Sequence, residues 1–190
     1  ANVTLKDVKS DPIEEITPDG LRTGKQEFEL DVIIYATGFD AISGSLTRMD
    51  IRGEKGETIK EAWADGPRSL LGMQVAGFPN LFISNGAVFC NTPTCIAIQV
   101  DWVADCIQHV RENGHQRIEA KQDAENAWVQ HCADATEGML FEKAEVASWF
   151  MGTNIPGKSR VFLLYAGGAP AYREACAKEA ESGYQGFELS

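Results

Sequence analysis

The sequence contains no run approaching the roughly 20 consecutive apolar residues that a membrane-crossing helix requires, and no basic-then-apolar secretory signal opens it. A soluble, cytoplasmic chain without membrane contact is the expectation. Basic residues are scarce: 17 Lys plus Arg stand against 28 Asp plus Glu, and the net charge of -11 repels phosphate backbones and anionic lipid. Nucleic acid is not an expected partner. The five cysteines (Cys90, Cys95, Cys106, Cys132, Cys176) are scattered without a C-x-x-C pair, and the three histidines (His109, His115, His131) are unclustered. That pattern indicates neither a disulfide framework nor a metal site, and most of the thiols read as small buried hydrophobes. There is also no G-x-G-x-x-G, the Gly-rich turn that cradles a dinucleotide pyrophosphate. An initiator Met is missing, and Ala1 to Leu5 begins inside a strand-like pattern. A processed, partial or truncated chain is expected, although Met removal before a small residue would leave the same start.

What is present begins with Asp31-Val32-Ile33-Ile34-Tyr35-Ala36-Thr37-Gly38-Phe39-Asp40-Ala41. Its apolar, β-branched first half reads as a strand buried on both faces of a parallel sheet. The abrupt change to Ala36, Thr37 and Gly38 leaves room beside the backbone, and ligands in open α/β sheets lie beyond the carboxyl ends of strands. A plain turn at Gly38 accounts for the pattern equally well. Before it, strands are predicted over residues 3–8 and 13–17, then a Thr17-Pro18-Asp19-Gly20 turn, a returning segment 21–23 and an extended lead-in 26–30. Beyond Ala41 the chain turns polar and Gly-rich. Trp63 reads as a packing residue, and Leu81-Phe82-Ile83-Ser84 as a second short strand.

The clearest helix follows. Ile96, Val100, Val103, Ile107 and Val110 recur at spacings of four and three, Asn91 or Thr92 supplies the cap, Pro93 occupies the first turn, and Asn113-Gly114 closes it. The turn before it is either a structural β-α connection or, because the first helical N–H groups are unpaired, a seat for a phosphate or an electron-rich carbonyl. A second helix is predicted over 122–136 with Ala124, Trp128, Cys132 and Ala135 inward. Residues 148–158 join two aromatics to two glycines and a proline, which excludes a regular helix or inner strand. A short strand over 161–166, a helix over 171–182 and an extended tail complete the chain.

Five segments in this order, Asp31 to Ala41, Phe78 to Phe82 (FPNLF), Gln99 to Trp102 (QVDW), Asn154 to Lys158 (NIPGK) and Tyr184 to Phe187 (YQGF), resemble the flavin-dependent Baeyer-Villiger monooxygenases typified by cyclohexanone monooxygenase. The resemblance covers nearly the whole chain and is to the family's C-terminal part alone. It implies an α/β fold, the C-terminal part of a Rossmann-like flavoprotein with two dinucleotide-binding domains. Residues 1–38 would be the tail of the NADP-binding domain and the junction strand. Residues 39–190 would be the C-terminal part of the FAD-binding domain, with a control loop at about 148–160.

In such enzymes NADPH reduces FAD, and one oxygen of O₂ is inserted next to a ketone carbonyl to give an ester or lactone. The resemblance implies FAD and NADPH as cofactors, a ketone and O₂ as substrates, and the N-terminal part of the same enzyme as partner. Both nucleotides should bind only with that part present, and the catalytic Arg should lie there. Thr37, Gly38, Asn91, Thr92, Trp149, Asn154 and Lys158 would stand on the cofactor side, and Phe89, Cys90 and Thr92 on the substrate side. Cys90, Thr92 and Cys95 depart from the cyclohexanone enzyme's pattern, which leaves substrate range open. Trp149, a core anchor by composition alone, becomes a lid residue by resemblance. An N- or S-oxygenating flavin monooxygenase and a non-catalytic remnant or binding module are the alternatives.

Overall fold

The structure, a computed structural model, describes residues 2–85, 88, 91–140, 148–162 and 164–190. Two compact units divide it between Gly38 and Phe39. The first unit carries a three-stranded antiparallel meander, β1 (Ile13–Thr17), β2 (Gly20–Thr23) and β3 (Glu27–Glu29). Thr17-Pro18-Asp19-Gly20 makes its first hairpin as predicted, pairing Thr17 with Gly20 and Ile16 with Leu21. Gly20 is required there, because a Cβ would lie 1.9 Å from the Phe28 carbonyl oxygen.

Two strand expectations in this unit fail. Residues 3–8 and 31–36 form no strand, and Val32 and Ile34 are 74% and 85% exposed. A strand is stabilised by the backbone and side chains of its neighbours. Among the described residues no strand lies alongside either segment, so an apolar, β-branched run is left without a ladder.

The second unit is mainly helical. A short helix α1 (Gly44–Thr47) precedes α2 (Ile59–Ala62), whose start is a reciprocal capping box: Glu61 N–H donates to Thr58 Oγ1, and Thr58 N–H donates to the Glu61 carboxylate. The long helix α3 (Thr92–Glu112) starts on Asn91 and ends on Asn113, as predicted. Its buried face overlaps the predicted stripe only in part, at Val110 and, packed against the core, Val103. Cys95, Gln99, Trp102, Cys106 and Val110 are buried, whereas Val100 and Ile107 are 51% and 42% exposed. Specific polar contacts account for the shift: Gln99 Nε2 donates to the Gly72 carbonyl and to Tyr172 Oη, and Trp102 Nε1 donates to the Cys176 carbonyl at 2.9 Å.

Strand β4 (Ile118–Ala120) pairs antiparallel with β5 (Phe187–Leu189), bringing the tail beside the end of α3. Between them lie α4 (Gln122–Asp134) and α5 (Gly168–Glu181). Trp102 meets Tyr184 edge-on at 5.3 Å and Phe187 at 5.7 Å, so helix, turn and strand share one core. Ala124, Trp128, Cys132 and Ala135 of α4 and its C-cap pack on that core as predicted. A second cluster gathers Ile59, Trp63, Val75, Phe78 and Ile83, confirming Trp63 as a packing residue. The predicted strands at 81–84 and 161–166 are absent from the described residues: the first is irregular chain held by Ile83 N–H on the Met73 carbonyl, and the second contributes a single parallel bridge, Tyr165 to Val88. Cys106, Cys132 and Cys176 are free thiols, while Cys95 is disulfide-bonded, which the scattered spacing did not signal.

Candidate functional site

Two features of the second unit present chemistry outward. The first is the start of α3. Asn91 Oδ1 accepts the Thr94 N–H at 3.3 Å, Pro93 removes one donor from the first turn, and no acidic residue lies in that turn. Asn91, Thr92, Pro93 and Thr94 are all exposed. The positive end of a 21-residue helix thus carries exposed residues, a setting that favours an electron-rich group.

The second is the segment from Ser148 to Ser159. Trp149–Met151 forms one 3-10 turn, ended by Gly152 in the left-handed region at φ +69°. Ser148 N–H donates to Thr153 Oγ1 at 2.9 Å, and Thr153 N–H returns to the Ser148 carbonyl at 3.1 Å. Further bonds leave the loop: Asn154 Nδ2 donates to the Phe39 carbonyl at 2.9 Å, Ser159 Oγ to the Ala64 carbonyl at 3.1 Å, and the Lys158 ammonium meets the Asp40 carboxylate at 2.5 Å. Trp149 is 41% exposed and stacks on Phe150 with ring centroids 3.9 Å apart. An amphipathic ring on an irregular, well-tied loop is suited to covering a ligand.

The structure brings Asn91 and Thr92 together at the helix start, and Trp149, Asn154 and Lys158 together on the loop. Phe89 and Cys90 lie outside the described residues. Thr37 and Gly38 sit in the first unit, exposed, with Gly38 at φ +83° and nothing within 4 Å of where its Cβ would be. Its φ is one that only Gly adopts without strain, and its backbone is uncovered. Within the second unit, a helix N-terminus and an exposed indole are groups of the kind that suit the ring end of a flavin or nicotinamide. The sequence holds no G-x-G-x-x-G turn of the kind that cradles a dinucleotide pyrophosphate.

Sequence reasoning missed three things. Asp40 was visible in its motif, but no local signal announces a partner 118 residues away. Glu125 is buried, and its carboxylate accepts from Arg68 Nε at 2.7 Å, Gln122 Nε2 at 3.0 Å and the Ala76 N–H at 3.1 Å. These bonds tie the 68–76 segment to α4. Near the loop's base a cavity of about 420 Å³ is lined by Arg68, Trp128, Cys132, Met151, Phe162 and Tyr165, among others. His131 Nε2 and Tyr165 Oη are 3.1 Å apart in the aromatic group beside it.

No family model matches the chain. Comparison with individual proteins is decisive. A Baeyer-Villiger monooxygenase of Pseudooceanicola batsensis is 45% identical over 186 residues, 96% of this chain and 34% of the relative. The cyclohexanone 1,2-monooxygenase of an Acinetobacter species is 44% identical over 191 residues, 99% of this chain and 35% of the relative. A phenazine N-monooxygenase of Lysobacter antibioticus is 39% identical over 99% of the chain. Among solved structures, the closed crystal structure of cyclohexanone monooxygenase superposes with a TM-score of 0.90 at 41% identity, covering 96% of this chain and 35% of that one. The crystal structure of the OTEMO complex with FAD and NADP gives a TM-score of 0.86 at 41% identity over the whole chain.

The fold is therefore that of a partial α/β segment similar to part of solved monooxygenase structures, one of them in complex with FAD and NADP. More particularly, the chain is a homologue of the C-terminal part of Baeyer-Villiger monooxygenases. It spans about a third of the length of the relatives it matches.

Proposed function

We propose that this chain is the C-terminal part of an FAD- and NADPH-dependent monooxygenase that inserts one oxygen of O₂ next to a ketone carbonyl, giving an ester or lactone. The observation that carries the reading is identity of about 45% to a Baeyer-Villiger monooxygenase across 96% of the chain. The working enzyme requires the remaining two thirds, including the nucleotide cradles and the catalytic Arg, and the 190-residue chain alone is inactive. No helix among the described residues is long and apolar enough to cross a membrane, and a cytoplasmic enzyme is proposed.

Residues 1–38 are assigned to the tail of the NADP-binding domain and 39–190 to the FAD-binding domain, which the division between Gly38 and Phe39 supports. Bound FAD would supply the redox chemistry, and the protein orients it and excludes water. On this reading the N–H groups at the start of α3, with Asn91 and Thr92, favour negative charge at the flavin edge. Phe89, Cys90 and Thr92 face the ketone. Thr37 and Gly38 leave backbone open to a cofactor, and the 148–160 loop, with Trp149, Asn154 and Lys158, forms a lid that holds NADP in place and keeps water out.

The test is product identification with the full-length protein that contains this chain, supplied with NADPH, O₂ and either cyclohexanone or an aromatic amine. Lactone formation is expected. The similarity to a phenazine N-monooxygenase makes amine oxidation the second reading. Oxidation of the amine alone would sink the ketone assignment.

A further inference from the structure

We propose that Asp40 and Lys158 are positioning residues that clasp the Trp149 loop in its folded form from within the chain. The inference rests on reading that loop as a lid, and it makes Lys158 and Asn154 act through the loop rather than through contact with a cofactor.

The clasp has two points. Lys158 Nζ lies 2.5 Å from Asp40 Oδ1 and 3.5 Å from the Ala41 carbonyl oxygen, and Asn154 Nδ2 lies 2.9 Å from the Phe39 carbonyl oxygen. Two loop residues thus hold three consecutive residues, Phe39, Asp40 and Ala41. The charged side chains are only 15% and 21% exposed, so salt screens them less than a surface pair. Removing one partner leaves the other poorly hydrated and unpaired.

The place that Asp40 takes depends on the space left at position 44. A Cβ at Gly44 would fall 2.4 Å from Asp40 Cγ and 2.6 Å from its Cβ, so a glycine at position 44 is what lets the carboxylate stand where Lys158 meets it. Gly44 is not in a left-handed conformation, so the requirement is one of space alone.

The far end of the loop is geared to the near end. A Cβ at Gly152 would lie 3.1 Å from the Ser159 carbonyl oxygen, and Lys158 N–H donates to the Ile155 carbonyl at 3.2 Å. Gly152 closes the turn that carries Trp149. Fixing Lys158 therefore fixes the ground on which the indole sits. A nucleotide phosphate seeking the Lys158 ammonium would have to displace a carboxylate already in contact with it.

The experiment is amide hydrogen exchange across residues 148–159 in the full-length protein without nucleotide, paired with steady-state kinetics in NADPH. Asp40→Asn, Lys158→Met and Gly44→Ala are each expected to speed exchange in the loop about tenfold, while exchange in α3 stays unchanged. The exchanged pair, Asp40→Lys with Lys158→Asp, is expected to regain most of the protection. Kinetically, the single variants should raise KM for NADPH more than they lower kcat. Unchanged loop exchange in Asp40→Asn and Lys158→Met would overturn the proposal, as would an exchanged pair no better protected than either single variant. A raised KM in Lys158→Met with full loop protection would also overturn it, making Lys158 a direct phosphate ligand. Absence of ketone oxidation by the unaltered protein would count against the proposed function alone, because the exchange comparison needs no turnover.

Discussion

Two tryptophans show how one residue type takes opposite roles. Trp102 is buried, hydrogen-bonded through Nε1 to the Cys176 carbonyl, and in contact with the Tyr184 and Phe187 rings. Trp149 is 41% exposed, with its closest ring neighbour in the adjacent residue, Phe150. Trp102→Ala should therefore cost about 3–5 kcal/mol of stability in chemical denaturation, as expected for a large core cavity. Trp149→Ala should cost under about 1 kcal/mol, yet impair NADPH-dependent turnover of the complete enzyme at least tenfold by our lid reading. Loss of soluble Trp149→Ala protein would instead restore the core-anchor role. Composition alone favours the core for a lone aromatic, and only the resemblance to a family control loop suggested otherwise for Trp149.

At the scale of elements, α3 is the best example of what local chemistry writes into a chain. Asn91, Pro93 and Asn113-Gly114 mark both ends because caps act within one turn and need no distant partner. Replacing Asn91 with Ala should lower stability by about 1 kcal/mol, and Asn91→Asp should preserve it, since a carboxylate also suits the positive helix end. Denaturation midpoints read at constant slope check both. The face that α3 buries was legible only in part. Ile96, Val100, Val103, Ile107 and Val110 make the more hydrophobic stripe, but the bonds of Gln99 and Trp102 orient the helix toward α5 and β5. Strands were the weakest element in the sequence reading for the same reason. A cap is local, whereas a ladder needs a partner, and segment 31–36 has none among the described residues.

For the whole molecule, the thiols make stability depend on alkaline pH. Burial pushes Cys106 and Cys132 up to about 12 and Cys176 to about 11, from an ordinary value of 9.0. The folded state then keeps protons that the unfolded chain releases, so the thiol contribution to stability is complete below pH 9 and falls as pH rises to 11 or 12. Each thiol removes up to about 1.4 kcal/mol per pH unit in that window. Urea titrations at stepped pH should show the decline, and Cys106→Ala should make it shallower. A slope identical in that variant would refute the assignment. The same burial predicts slow alkylation of the native free thiols at pH 8, because the thiolate is the reactive form.

By itself the sequence determined the ends of α3, the first hairpin, the irregular 148–158 loop and, through five short segments in order, the kind of enzyme the chain resembles. All of these depend on residue types acting over a few positions. Tertiary structure alone decided that Asp40 meets Lys158, that Glu125 is buried against Arg68, and which face of α3 turns inward. Those outcomes join residues tens of positions apart, up to 118 in the clasp, and depend on the geometry that the fold imposes once its local elements pack.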